Sequence, residues 1–134
     1  MKMVVRLTSV FLLGIAAGSL GIPALSAQTR STEFKEIMRT DLGTWCPGKE
    51  VTIALQESAP GVSSRHYHPG HSYSYVMQGS ETRMVNGKLP QVARVGDVIH
   101  EQPMEVGETQ NDMFVKLLVF SILEKGQSAT TRVP

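Results

Sequence analysis

From Glu50 onward the chain is a succession of short alternating segments separated by turn residues. "EVTIALQES" alternates β-branched or apolar residues with polar ones and stops at "APG", a turn signal. "SYSYVMQG" sets Tyr73, Tyr75 and Met77 against Ser72, Ser74 and Val76, a strand with two unlike faces. "SETRMVNGK" continues the pattern, and its Asn86-Gly87 pair predicts a tight hairpin turn. "ARVGDVIHE" reads as one short strand interrupted at Gly96-Asp97. The most apolar stretch, "DMFVKLLVFSILEKG", predicts a central strand buried on both sides. No segment holds a helical period. Short strands at close spacing predict an all-β fold, an antiparallel sandwich or barrel.

The ends read differently. "MKMVVRLTSVFLLGIAAGSLGIPALSAQ" opens with Lys2 and Arg6, continues in an apolar run from Val10 to Leu20, and ends in small residues around Ala24 to Ala27. That is the layout of a secretory signal peptide, here residues 1–27, and it predicts a periplasmic or secreted protein. The rival, an uncleaved anchor, is too short and glycine-rich for a span of about 20 residues. Residues 28–48 read as an arm or edge strand, 49–127 as the barrel domain, and 128–134 as a polar tail or edge strand. Roughly 107 residues then remain to close one small core.

Composition narrows the partners. The chain has 13 basic and 12 acidic residues, and removing Lys2 and Arg6 takes the net charge from +1 to about −1. A near-neutral surface without basic blocks offers no footprint for nucleic acid, and no membrane contact is expected once the signal is cleaved. The single cysteine, Cys46, cannot form an internal disulfide and sits in a Pro-Gly turn as a tolerated thiol.

Candidate chemistry concentrates in "RHYHPGHSYSYVMQG", which places His66, His68 and His71 within six positions; the only other histidine is His100. Side chains at i and i+2 of a strand share a face, roughly 6.5 to 7 Å apart along the backbone, so His66 and His68 can be neighbouring ligands of one ion. Pro69-Gly70 then turns the chain toward the next strand. A bare H-x-H pair is a weak signal; with a turn, a strand and Gly79 at fixed distance it is stronger.

Here the sequence resembles the cupin superfamily. Its first motif runs G-x(5)-H-x-H-x(3,4)-E-x(6)-G, and Gly61, His66, His68 and Gly79 follow it with one residue fewer after the first glycine. Its second runs G-x(5)-P-x-G-x(2)-H-x(3)-N; "GDVIHEQPMEVGETQN" meets it at Gly96 and Asn111 and approximately at Pro103. The resemblance covers about Lys49 to Gln127. It implies a small antiparallel double-sheet β-barrel of the cupin or jelly-roll type, forming a homodimer through outer strands. It also implies a metal held by two histidines and a glutamate of the first motif and one histidine of the second. His66 and His68 match; the glutamate position falls on Ser72 and the third histidine on Gly107.

The candidate replacements are His71, beside Ser72, and the second-motif groups Glu108, Glu105, Glu101 and His100. Three histidines, or two and a carboxylate, suit divalent iron, manganese, nickel, copper or zinc. Arg65, Tyr75 and Arg83 are candidates for orienting a small anionic or phenolic ligand. The bland readings stand beside these: His66 and His68 as barrel residues bonded to each other or water, His71 and His100 as turn or surface residues, Tyr73 and Tyr75 as packing. Because one fold hosts many activities, two functions follow. One is a metal-dependent oxygenase or isomerase acting on a small organic molecule in the barrel. The other is a metal-free binding or interaction module.

Overall fold

The computed structural model describes residues 31–134. The segment read as a signal peptide, residues 1–27, lies outside the described residues. Ten strands follow: β1 (Thr32–Asp41), β2 (Lys49–Ser58), β3 (Ser63–Tyr67), β4 (His71–Gln78), β5 (Ser80–Val85), β6 (Gln91–Arg94), β7 (Val98–Glu101), β8 (Gly107–Gln110), β9 (Val115–Glu124) and β10 (Thr131–Arg132). They form two antiparallel five-stranded sheets, with order β1-β2-β9-β4-β7 in the first and β10-β3-β8-β5-β6 in the second. The expected all-β double-sheet architecture is therefore the observed one.

The backbone of the first sheet is the long pairing of β2 with β9, in register from Lys49↔Glu124 to Ser58↔Val115. Along β9 the alternation is strict: Val115, Leu117, Val119, Ser121 and Leu123 are buried, and the residues between them face outward. The strand is central but not buried on both sides as expected. Its outer residues Leu118, Phe120 and Ile122 are half-buried, because no layer covers that face among the described residues.

The interior has two zones. Val76, Ala93, Ile99, Val115, Leu117 and Val119 make a dry cluster. Elsewhere the inward positions are polar: Thr52, Ser72, Ser74 and Ser121 from the first sheet face His66, Glu81, Arg83 and Thr109 from the second. Such a barrel draws its hydrophobic stabilisation from one zone and must satisfy every polar group in the other.

The interruption at Gly96-Asp97 is a change of sheet. β6 belongs to the second sheet and β7 to the first, and the corner between them is pinned by Val76, whose N–H donates to Asp97 O at 3.0 Å while its carbonyl accepts from Gly96 N at 3.0 Å. Gly79 ends β4 at φ 78°, and a Cβ there would lie 2.2 Å from the carbonyl oxygen of Phe114. Only glycine fits both demands. Asn111 closes the β8–β9 loop by donating its side-chain amide to Ala59 O at 2.8 Å and Met113 O at 2.5 Å.

The two faces of β9 give a direct test of this packing. Leu117→Ala is expected to cost about 2–5 kcal/mol, since it opens a cavity in the dry cluster. Leu118→Ala, one residue along on the outer face, is expected to cost less than half as much. Denaturant unfolding of both variants measures the difference; equal losses would contradict the alternation.

Candidate metal centre

β3 runs antiparallel to β8 with His66 opposite Gly107, which points His66 into the barrel. His68 follows just beyond the end of β3 and is also buried. On the facing sheet β7 carries Glu101, turned inward by the same alternation that buries Ile99. These three side chains converge: His68 Nε2 stands 3.4 Å from Glu101 Oε1, and His66 Nε2 stands 3.7 Å from Glu101 Oε2. The two rings meet edge to face, with centroids 5.1 Å apart.

The opposite edge of each imidazole fixes which nitrogen faces inward. His66 Nδ1 lies 3.1 Å from the carbonyl oxygen of Ser64, and His68 Nδ1 lies 2.7 Å from that of Ala129. A carbonyl only accepts, so each Nδ1 carries the proton and donates. In the neutral rings both Nε2 lone pairs then point at the Glu101 carboxylate. Three acceptors cannot converge without a cation between them, and the choice is a proton on Nε2 or a metal ion. Donors about 2.1 Å from one ion at a tetrahedral angle stand about 3.4 Å apart, close to the spacings here. A backbone carbonyl on Nδ1 is also the usual outer support of a metal-bound histidine.

Arg83, on β5, completes the cluster. Its Nη1 forms a buried ion pair with Glu101 Oε2, and its Nη2 lies 3.5 Å from Glu105 Oε2. Neither Arg83 Nη1 nor Glu101 Oε2 has an aligned hydrogen bond, so the carboxylate oxygen keeps acceptor capacity toward His66. Burial alone would raise the Glu101 pKa. In the metal-free cluster with the histidines protonated, their hydrogen bonds and the charges of His68 and Arg83 overcome this and hold it well below the usual carboxylate range. Glu81, buried two residues before Arg83, behaves oppositely. Burial and the neighbouring Glu101 charge push it up to about 7, with His66 and Arg83 pulling partly the other way.

Comparison with known proteins adds the architecture. No protein-family model matches the chain, and no curated protein sequence matches it either. Among solved structures, a cupin superfamily protein from Desulfitobacterium hafniense DCB-2 is 16% identical, with TM-score 0.59 over 75% of this chain and 84% of that one. The chain has a cupin fold. A conserved protein with a double-stranded β-helix domain from Klebsiella pneumoniae is 15% identical, with TM-score 0.56 over 77% of this chain and 84% of that one. The DMSP lyase DddQ from Ruegeria pomeroyi DSS-3 is 17% identical, with TM-score 0.54 over 60% of this chain; the chain spans 42% of that lyase. At these identities the likeness is one of fold.

Within this cupin fold the two substituted motif positions have visible physical counterparts. Ser72, at the glutamate position, pairs directly across β4–β7 with Glu101, so a carboxylate enters the same part of the interior from the neighbouring strand. Gly107, at the third-histidine position, lies under the Arg83 guanidinium: a Cβ there would fall 2.4 Å from Nη1 and 2.5 Å from Cζ. The Arg83 guanidinium from β5 thus occupies the space a side chain at Gly107 would take and pairs with Glu101.

The other sequence candidates lie elsewhere. His71 and His100 face outward on the first sheet, their alternation opposite to that of Ser72 and Glu101. Arg65 points out of the second sheet and donates to an oxygen of Pro134 at 2.8 Å. Tyr75 is exposed on the outer face of β4. Glu108 accepts from Ser63 Oγ at 2.7 Å on the outside, and Glu105 pairs with Lys88 and reaches Arg83 at the rim. Of the orienting candidates only Arg83 is inside. Sequence reasoning passed over Glu101 as one carboxylate among several and did not consider Glu81. The signal for both was alternation, since Glu101 shares the face of Ile99 and Glu81 that of Arg83.

The opposed carboxylates predict a pH signature in metal-free protein. Glu81 keeps its proton in the fold up to about pH 7 but ionises near 4.5 when unfolded, so it lowers stability as pH rises from about 4.5 to 7. Glu101 contributes stability that is present above the unfolded value and lost on acidification. Glu81→Gln is therefore expected to flatten the fall between pH 4.5 and 7, a gain on the order of 3 kcal/mol above pH 7. Urea unfolding across that range in the presence of a chelator checks it; an unchanged pH slope would contradict the placement of Glu81.

Proposed function

We propose that this protein is a metal-dependent cupin whose divalent ion is held by His66, His68 and Glu101. The observation that carries the reading is the convergence of two Nε2 atoms, each fixed by a carbonyl on Nδ1, on one buried carboxylate. The residues fit an ion: the donors are buried and their mutual spacing suits one centre. Two histidines and one carboxylate, with positions left open, favour Fe(II) over the other divalent ions considered. Such an ion supplies Lewis-acid polarisation or dioxygen activation to a bound organic molecule.

The chain's own groups give the rest. His66 lines a narrow cleft with Glu81, Ser64 and Thr109, which has room for about one water molecule. This cleft adjoins a larger cavity of about 380 Å³ bordered by Phe34, Thr52, Thr130 and Arg132, a size suited to a small organic ligand. Arg132 lines both spaces and offers a positive group at the entrance. Arg83 fixes Glu101 through Oε2, the oxygen that also faces His66. Glu81 holds a proton at a carboxyl oxygen within the cleft, a source for proton transfer during turnover.

One observation favours a second reading. The Arg83 guanidinium places a fixed positive charge against Glu101, which opposes a cation at the same carboxylate. On that reading the site is a closed ion-pair cluster and the cavity only binds a ligand.

Anaerobic loading with Fe(II), followed by elemental analysis, separates the two. The metal reading expects about one ion per chain, falling to background in His66→Ala/His68→Ala. No uptake by the natural chain, or equal uptake by the double variant, would overturn it in favour of the metal-free module.

A further inference from the structure

The alternation that turns Ser72 and Glu101 inward turns their neighbours outward. On the outer face of the β4–β7 pair His71, Tyr73, His100 and Gln102 form a compact patch, with Tyr73 directly opposite His100. His71 and His100 meet diagonally in a hydrogen bond between Nδ1 and Nε2 at 3.0 Å, whose shared proton an ion would displace. His100 is exposed and His71 half-buried, so the pair borders solvent.

We propose that His71 and His100 form a second metal site, open to solvent and selective for a tetragonal divalent ion, Cu(II) above the others. The spacing carries the selectivity. Two nitrogens each about 2.1 Å from one ion stand about 3.0 Å apart when the angle between them is about 90°, and about 3.4 Å apart at a tetrahedral angle. The outer pair has the first separation and the buried centre is nearer the second. Right-angled nitrogen donors are the preference of Cu(II) and Ni(II), and Cu(II) binds such sites most strongly of the first-row divalent ions.

The pair is also prearranged. The Tyr73 ring lies parallel to His100, at 4° and a centroid distance of 4.4 Å, which fixes the plane of that imidazole. The two imidazoles are themselves stacked, with planes 26° apart. On the far side of His100 the Gln102 amide nitrogen lies 3.5 Å from Nδ1, and an ion on Nε2 requires that amide to turn so that its oxygen accepts the Nδ1 proton. The remaining coordination positions open to water. None of this depends on the buried centre, whose histidines come from β3 and the turn beyond it and whose carboxylate alone shares β7, on its inner face.

The test is a Cu(II) titration against a competing chelator, followed by electron paramagnetic resonance. It uses the full chain with Cys46→Ser, because the exposed thiol would otherwise react with copper. His66→Ala/His68→Ala is added in a parallel series, so that failure of the buried centre is read separately. The expected result in both series is a copper signal with hyperfine structure from two imidazole nitrogens. His71→Gln or His100→Gln should each weaken binding about tenfold or more by reducing a chelate to one ligand. Both substitutions are on the outer face, and circular dichroism is the check that the variants fold. In the His66→Ala/His68→Ala background, copper affinity and spectrum unchanged by adding His71→Gln/His100→Gln would overturn the proposal, as would the absence of any two-nitrogen signal in that background.

Discussion

A carboxylate stays ionised inside a small β-barrel only where positive charge or hydrogen-bond donors meet it, and Glu101 is the group around which this interior is arranged. Arg83 faces it from β5, and His66 and His68 approach from β3 and the turn beyond. Removing any partner would leave a buried charge uncompensated, at a cost of about 3–5 kcal/mol for a broken pair. The polar half of the barrel follows from this constraint. Gly107 has no side chain because the guanidinium occupies its space, and Glu81 keeps its proton because it is buried and because a second ionised carboxylate near Glu101 is unfavourable. The dry half, built on Leu117 and its neighbours, supplies the hydrophobic burial that such a polar interior does not.

The fold was legible because it rests on local pattern. Alternation marked the strands, Gly79 and Asn86-Gly87 marked turns, and Gly61, His66, His68 and Asn111 carried the resemblance to cupins. The half-covered outer face of β9 was not legible, because a run such as Leu117-Leu118-Val119-Phe120 reads the same whether or not a layer lies outside it. Nor was the break at Gly96-Asp97, which marks a passage between sheets that no local pattern distinguishes from a bulge.

The site was half legible. His66 and His68 could be aligned by spacing alone, since both belong to one short segment. Glu101 could not, because its place opposite Ser72 depends on the register between β4 and β7, a non-local fact. Counting along the first motif finds a serine where a carboxylate belongs, and nothing in that count points 29 residues onward. His71 was a candidate through its adjacency to Ser72, and strand alternation, which already set it on the face of Tyr73, puts it on the other side of the sheet with His100. The two histidine pairs thus sit on different sheets, one turned into a buried charged cluster and one toward solvent.

The central claim is that His66 and His68 present unprotonated Nε2 atoms to an ion shared with Glu101. Nitrogen-15 magnetic resonance of the histidine side chains, recorded as Zn(II) is added, tests it most directly because zinc is diamagnetic. The account predicts that both Nδ1 protons persist and exchange slowly, held by the Ser64 and Ala129 carbonyls, while both Nε2 resonances shift on binding. Nε2 atoms that stay protonated and unmoved throughout the titration would show a closed ion-pair cluster instead, and would contradict it.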